Sequence, residues 1–240
     1  AYLYYVLSMP AKNRLKTYVP ESYYHLYNRG VQKQRVFRDS QDYSVFLSYL
    51  KTYLEPKDLD ALNHCMLDQE VSYKVRDQAR QLLRMNNFSD QISLLCYSLM
   101  PNHFHFLLYQ KGESDIDFFM NSLGTRYSMY MNKKYKFVGP LFQSVYKGVL
   151  IDTDEQLLYT TRYIHRNIID LPQYKILASK GQAFRGYLPS SYLEYLGLRK
   201  TKWVHPEIVL SYFSKRRGMT YESFVEESDD ELSQRIIYEK

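Results

Sequence analysis

Apolar positions along the chain change period several times, and each change marks an element. Tyr23 to Tyr27 is dense in aromatic and apolar residues and predicts a strand, ending at the turn signal Asn28-Arg29-Gly30. Val31 to Arg38 follows as a basic loop. From Asp42 to Leu54 the residues Tyr43, Phe46, Leu47 and Leu50 recur at helical spacing, and Pro56 stops the helix. Ile92 to Leu99 and His103 to Tyr109 predict two strands separated by Pro101-Asn102, an antiparallel pair. Asp115 to Lys134 carries a long stripe of Ile116, Phe119, Leu123, Tyr127, Tyr130 and Met131. Tyr127 and Tyr130 therefore read as core residues. After Gly139-Pro140, Phe142 to Ile151 alternates as a fourth strand, and Asp154 to Ile168 predicts a last core helix closed by Pro172.

The order strand, helix, strand, strand, helix, strand is the split β-α-β arrangement. It predicts an α+β, ferredoxin-like (RRM-like) antiparallel sheet with helices on one face and the other face free to carry a site. Residues 20–172 form this domain, with 1–19 an N-terminal extension and 57–90 an insertion. Val71 to Met85 within that insertion predicts a helix with charged faces. Residues 173–240 read as a helical appendage, with helices starting near Pro189-Ser190-Ser191-Tyr192 and near Pro206. Lys215 to Arg217 is basic, and Glu226 to Glu231 is an acidic run that reads as a solvated tail.

The chain of 240 residues is long enough to bury a proper core. Its net charge of +6 and pI of about 9.0 are compatible with nucleic acid. The 26 Tyr offer stacking faces. Cys65 and Cys96 have no metal-ligand spacing and indicate a reducing compartment. No apolar run approaches the ~18 residues of a membrane span. Leu3 to Leu7 is too short for a signal-peptide core, and Met9-Pro10 reads as a start, with residues 1 to 8 upstream of it.

Chemistry concentrates in Leu99-Met100-Pro101-Asn102-His103-Phe104-His105-Phe106-Leu107-Leu108. In a strand His103 and His105 point to one face and Phe104 and Phe106 to the other. Two imidazoles at fixed separation suit a divalent metal, although such a pair can also be a solvated surface. The last helix adds a second cluster. Thr153-Asp154-Glu155-Gln156 is a capping-box pattern. Leu157, Thr161, Ile164 and Ile168 form its core stripe. Tyr159, Tyr163 and Asn167 share a face roughly 80–120° away. Tyr159 and Tyr163 could simply pack at a core edge. Beside a metal on two histidines and an amide oxygen, however, a Tyr hydroxyl is a nucleophile for a phosphodiester. Such attack leaves a phosphotyrosine and a free 3′-OH and conserves the bond energy.

The sequence here resembles the single-tyrosine HUH transposases, and among them the REP-associated tyrosine transposases of bacteria. The resemblance rests on His25-Leu26-Tyr27-Asn28-Arg29-Gly30, Met100 to Leu108, Gly139-Pro140-Leu141-Phe142-Gln143 with Tyr146-Lys147-Gly148, Tyr163-Ile164-His165-Arg166-Asn167, and Tyr192-Leu193-Glu194-Tyr195-Leu196-Gly197. It spans about residues 20 to 200. The resemblance implies a metal-dependent endonuclease and strand-transferase on single-stranded DNA, cutting beside hairpin-forming repeats. It assigns Tyr163 as nucleophile and His103, His105 and Asn167 as ligands of Mg²⁺ or Mn²⁺, and two imidazoles favour Mn²⁺. It also implies a bacterial, cytoplasmic, nucleoid-associated protein, monomer or homodimer. Arg29, Lys33, Arg35, Arg38, Lys133, Lys134 and Lys147 are the candidate phosphate contacts. Ile168 stands where the family often has Pro, and the 57–90 segment is longer than a simple crossover. His165 is expected to point away from the site, and His25 either to line it or to be structural.

Two alternatives from other classes remain. A non-catalytic binder of single-stranded nucleic acid on the same fold would expose strand aromatics. A water-using phosphodiesterase would tolerate Tyr163→Phe.

Overall fold

The structure, a computed structural model, describes residues 18–172, 174, 188–214 and 218–227. The elements in chain order are β1 (Ser22–Arg29), α1 (Ser40–Leu54), α2 (Leu59–Leu67), α3 (Tyr73–Arg84), β2 (Ile92–Met100), β3 (His103–Gln110), α4 (Asp115–Tyr135), β4 (Lys147–Ile151) and α5 (Asp154–Ile169), and all but α2 were expected. The short helices α6 (Tyr192–Tyr195), α7 (Glu207–Ser214) and α8 (Tyr221–Glu226) follow. The sheet order is β2-β3-β1-β4, antiparallel throughout, which is the ferredoxin-like α+β topology.

Side-chain alternation sorts the sheet into two faces. Leu26, Phe104, Phe106 and Leu108 pack with Phe46 and Leu50 of α1 and with Ile116, Phe119 and Leu123 of α4. Tyr127 and Tyr130 belong to this region as expected, with the Tyr127 hydroxyl on Val36 O at 2.6 Å and that of Tyr130 on Asp42 at 2.8 Å. Asp39 caps α1 in a box with Asp42. The opposite face carries Leu107 and Ile151, which pack with Leu157, Leu158, Ile164 and Ile168 of α5. Tyr192, Leu193, Phe213, Tyr221 and Phe224 of α6–α8 join the same cluster. The C-terminal segment is helical, as its pattern predicts, but shares its core with α5. It is also stitched to β2, where Leu99 N donates to Pro189 O at 2.8 Å and Ser191 N to Tyr97 O at 3.0 Å.

Two expectations need correction. The fourth strand begins at Lys147, not Phe142. Phe142 makes only an isolated bridge to Gly30, and the Asn28 side chain takes the Ser144 carbonyl at 3.0 Å, so no ladder runs through 142–146. The 57–90 segment holds, besides the expected helix over Val71 to Met85 (α3), a second helix, α2, packed on it. Residues 1–17, Lys215 to Arg217 and the acidic run beyond Glu227 lie outside the described residues.

Candidate active site

The β2–β3 turn at Pro101-Asn102 starts β3 so that His103 and His105 face α5. Antiparallel register then sets Tyr27 opposite His105 and Arg29 opposite His103, with His25 opposite Leu107. His25, Tyr27 and Arg29 share a face by the same alternation. Gly30, just past Arg29, lies against the 31–34 turn, where a Cβ would sit 2.3 Å from Gln34 O.

The histidines are bonded so that one nitrogen of each is left over. His105 Nδ1 lies 2.9 Å from His25 Nε2, with the rings stacked at 5.1 Å. His103 Nδ1 lies 2.6 Å from Asn102 Oδ1, which accepts its proton and leaves Nε2 as the basic nitrogen. His105 is only 4% exposed, and its Nε2 is buried with no hydrogen-bond partner. Buried polar atoms are nearly always paired, so an orphaned imidazole nitrogen marks a place for a ligand. Burial lowers the His25 pKa to about 4. Burial and then Arg29 lower that of His103 to about 4. Burial, then His25, His103 and Arg29, lower that of His105 to about 2. The rings are therefore neutral at physiological pH, the form that binds a metal.

Helix α5 brings the tyrosine. Thr153 Oγ1 caps it by accepting from Gln156 N at 3.1 Å, while Gln156 reaches one residue further back, accepting from Asp152 N at 2.9 Å. The expected stripe of Leu157, Thr161, Ile164 and Ile168 is buried. Tyr163 is 51% exposed, and its ring stands edge-on to His105 at 5.4 Å and to His25 at 5.9 Å. The helix starts at the Tyr23–Tyr109 end of the sheet and passes His105 at Tyr163. Asn167 follows one turn later, a rise of about 6 Å, close to the ~6.6 Å that separates His105 from His103 along β3. Asn167 Nδ2 donates to Tyr163 O at 2.9 Å, which leaves Oδ1 as the available acceptor. Among the described residues no trio of His, Cys, Asp or Glu could hold a metal.

Three features of the site were not legible in single motifs. Tyr27 stacks on His105 at 5.7 Å, and burial together with the nearby Tyr163 phenol pushes its own phenol up. His25 buttresses His105. The C-terminal segment grips α5: Arg162 donates to Phe224 O of α8 and to Glu227 O just past it, each at 2.6 Å, and His165 bonds Tyr221 of α8 at 2.6 Å and Ser191, just before α6, at 2.9 Å. His165 thus points away from the site, as expected. A cleft of about 540 Å³ runs along α5 beside Tyr159, Tyr163 and Asn167.

The basic candidates separate. Arg29 is exposed opposite His103, and Lys147 Nζ lies 5.8 Å from the Tyr27 ring centre, so both border the site. Lys33 and Arg35 are exposed on the loop after β1. Arg38 and Lys134 are otherwise engaged. Arg38 lies over the Tyr135 and Phe137 rings, and Lys134 is bonded to Asp39 and to buried Asp42, both at 2.7 Å. For Lys134 to contact a phosphate it would have to leave the ion pairs that hold α4 to Asp39 and Asp42. Lys133 is exposed at the end of α4, the helix packed on the far face of the sheet.

The structure thus sets a histidine pair on a central strand against a helical tyrosine, on an antiparallel α+β sheet. Residues 64–167 match the family described as "Transposase IS200 like". The match contains the histidine pair and ends on Asn167. It bears out the resemblance read from the sequence. Among solved structures, the chain is similar to a REP-associated tyrosine transposase bound to a REP hairpin, at 12% identity over 81% of this chain and 92% of that one, with a TM-score of 0.42. It is also similar to a protein of Deinococcus radiodurans R1 provisionally assigned as a transposase, at 17% identity over 65% and 97%, with a TM-score of 0.27. No curated protein matches the chain.

Proposed function

We propose that this chain is a transposase-type endonuclease and strand-transferase that cuts single-stranded DNA with Tyr163. The observation that carries the reading is the edge-on approach of the exposed Tyr163 ring to His105, whose Nε2 is buried and unpartnered. His103, His105 and Asn167 would hold a divalent cation, which when bound polarises the scissile phosphate. The Tyr163 oxygen attacks phosphorus, the bond from phosphorus to the 3′-oxygen breaks, and a 5′-phosphotyrosine and a 3′-OH result. The phenol gives up its proton as it attacks, and the departing 3′-oxygen takes one up. Arg29 and Lys147, which border the site, steady the phosphates on either side. The described residues contain no helix long and apolar enough to cross a membrane, and the partner is DNA, with hairpin-forming repeats the preferred substrate.

The test is a covalent-adduct assay. Labelled single-stranded oligonucleotides from the flanks of the gene, some forming hairpins, are incubated with protein and Mn²⁺ or Mg²⁺ and resolved on a denaturing protein gel. Wild type should acquire label, while Tyr163→Phe and His105→Ala should not. Cleavage that survives in Tyr163→Phe without a labelled band would replace this reading with a water-using phosphodiesterase.

A further inference from the structure

The far face of the sheet carries a second groove, between α4 and residues 139–146, of about 540 Å³. Its floor is apolar, with Phe104 and Phe142 edge-on at 5.8 Å. Its α4 wall presents Asn121, Thr125, Ser128 and Asn132, a polar stripe at helical spacing. Their side chains make no hydrogen bond among the described residues, and Asn132 Oδ1 is buried without a partner. Among the described residues no charged one lines the groove. Free amides and hydroxyls above an apolar floor suit a flat heterocycle with donors and acceptors on its edge. They suit neither a phosphate, which needs cations, nor an apolar helix, which would leave the amides unpaired.

The position of the groove points to where such a ring comes from. Residues 139–146 are pinned to the end of β1: Val31 N donates to Leu141 O at 3.0 Å and Gln143 N to Arg29 O at 2.9 Å. Asn28 lines the groove, while its neighbours Tyr27 and Arg29 face the histidine site. The groove and the site are thus the two sides of one strand end. A single strand leaving the site past Tyr27 and Lys147 reaches the groove around the short edge strand β4.

We propose that this groove takes an unpaired base of the strand being cut, a few nucleotides from the scissile phosphate. The proposal rests on the DNA reading of the histidine–tyrosine site. Gly124 supplies a clean test, because it lines the groove and a Cβ there would meet nothing within 4 Å. Gly124→Leu fills the groove, and Leu is the better helix former, so the fold should not suffer. Asn132→Leu removes the unpartnered amide.

Binding of a fluorescein-labelled, mixed-sequence single-stranded oligonucleotide is measured by anisotropy, with thermal melting of each variant alongside. A 4-thiothymidine version maps the contact by photo-crosslinking. Both variants should melt no lower than wild type yet bind about five- to a hundredfold more weakly, the range for losing one stacked base. Crosslinks to Met129 or Phe142 should vanish in Gly124→Leu. Unchanged affinity in both variants, with crosslinks elsewhere, overturns the groove proposal and leaves the site reading standing. No binding of single-stranded DNA by wild type overturns both. Binding of a blunt duplex with the same dependence on Gly124 overturns the base-reading role.

Discussion

The bond between His25 and His105 gives the most pointed test of how the site works. If His105 is to present Nε2 as a ligand, its proton must sit on Nδ1 and point at His25 Nε2, 2.9 Å away. His25→Ala removes that acceptor and leaves the Nδ1 proton unpaired in a site where His105 is 4% exposed. An unsatisfied buried donor costs about 1–3 kcal/mol. His105 can escape by moving its proton to Nε2 or by turning its ring, and either choice removes the ligand. Loss of an outer-shell partner typically lowers metal affinity by about 10–100-fold, which is about 1.4–2.7 kcal/mol. The two ranges coincide because they describe the same broken bond. Mn²⁺ binding followed by electron paramagnetic resonance should therefore weaken by one to two decades in His25→Ala. His25→Gln, which can still accept, should recover most of the loss. Nitrogen NMR of the metal-free protein should show His105 with its proton on Nδ1 in wild type and a tautomer mixture in His25→Ala. Wild-type Mn²⁺ affinity in His25→Ala would refute the argument, and so would an unchanged tautomer.

Two other predictions concern the helix that carries the tyrosine. Arg162→Met removes the donors to Phe224 O and Glu227 O. It should lower stability by about 1–3 kcal/mol in denaturant unfolding and reduce adduct yield even where the protein remains folded. His165 is wholly buried, and burial lowers its pKa to about 3. Below the ordinary value of about 6.5 the unfolded chain takes up a proton that the native chain refuses. The stability contributed by neutral His165 is therefore complete above that pH and falls as pH drops, by up to about 1.4 kcal/mol per unit until about pH 3. Urea unfolding at a series of pH values should show this fall, and His165→Gln should flatten it.

Much of this molecule is legible in sequence wherever one residue face meets one neighbour. The stripes of α1, α4 and α5 each pack against a single sheet face, so helical spacing alone finds them. His103 and His105 could be placed on one face because alternation is a property of one strand. The bond from His25 to His105 is different, because it depends on the register between β1 and β3, which neither strand contains. A weaker signal was present: His25, Tyr27 and Arg29 alternate on β1 as His103 and His105 do on β3. Helix α2 escaped because it buries no residue and shows no core stripe. Phe142 to Tyr146 alternates like a strand, yet Asn28 captures the Ser144 carbonyl and the ladder starts only at Lys147. Lys134 looks like any surface lysine in sequence, and only the packing of α4 on α1 shows it held by Asp39 and Asp42.

The division of labour on α5 explains why the C-terminal helices matter to the chemistry. A nucleophile that must meet a DNA strand has to be exposed, and exposure ordinarily means freedom of movement. Here one helix resolves the conflict by using three faces. Leu157, Thr161, Ile164 and Ile168 bury the first against the sheet. Arg162 and His165 bond the second to α8 and to Ser191. Tyr159, Tyr163 and Asn167 are left on the third, along the open cleft. The phenol can be half exposed because its backbone is held on two sides, so positioning does not depend on contacts of the ring itself. Substitutions on the α8-facing side should therefore act on Tyr163 placement although they touch neither DNA nor metal, and Tyr159, whose ring also meets Phe224 of α8 at 5.7 Å, belongs with them.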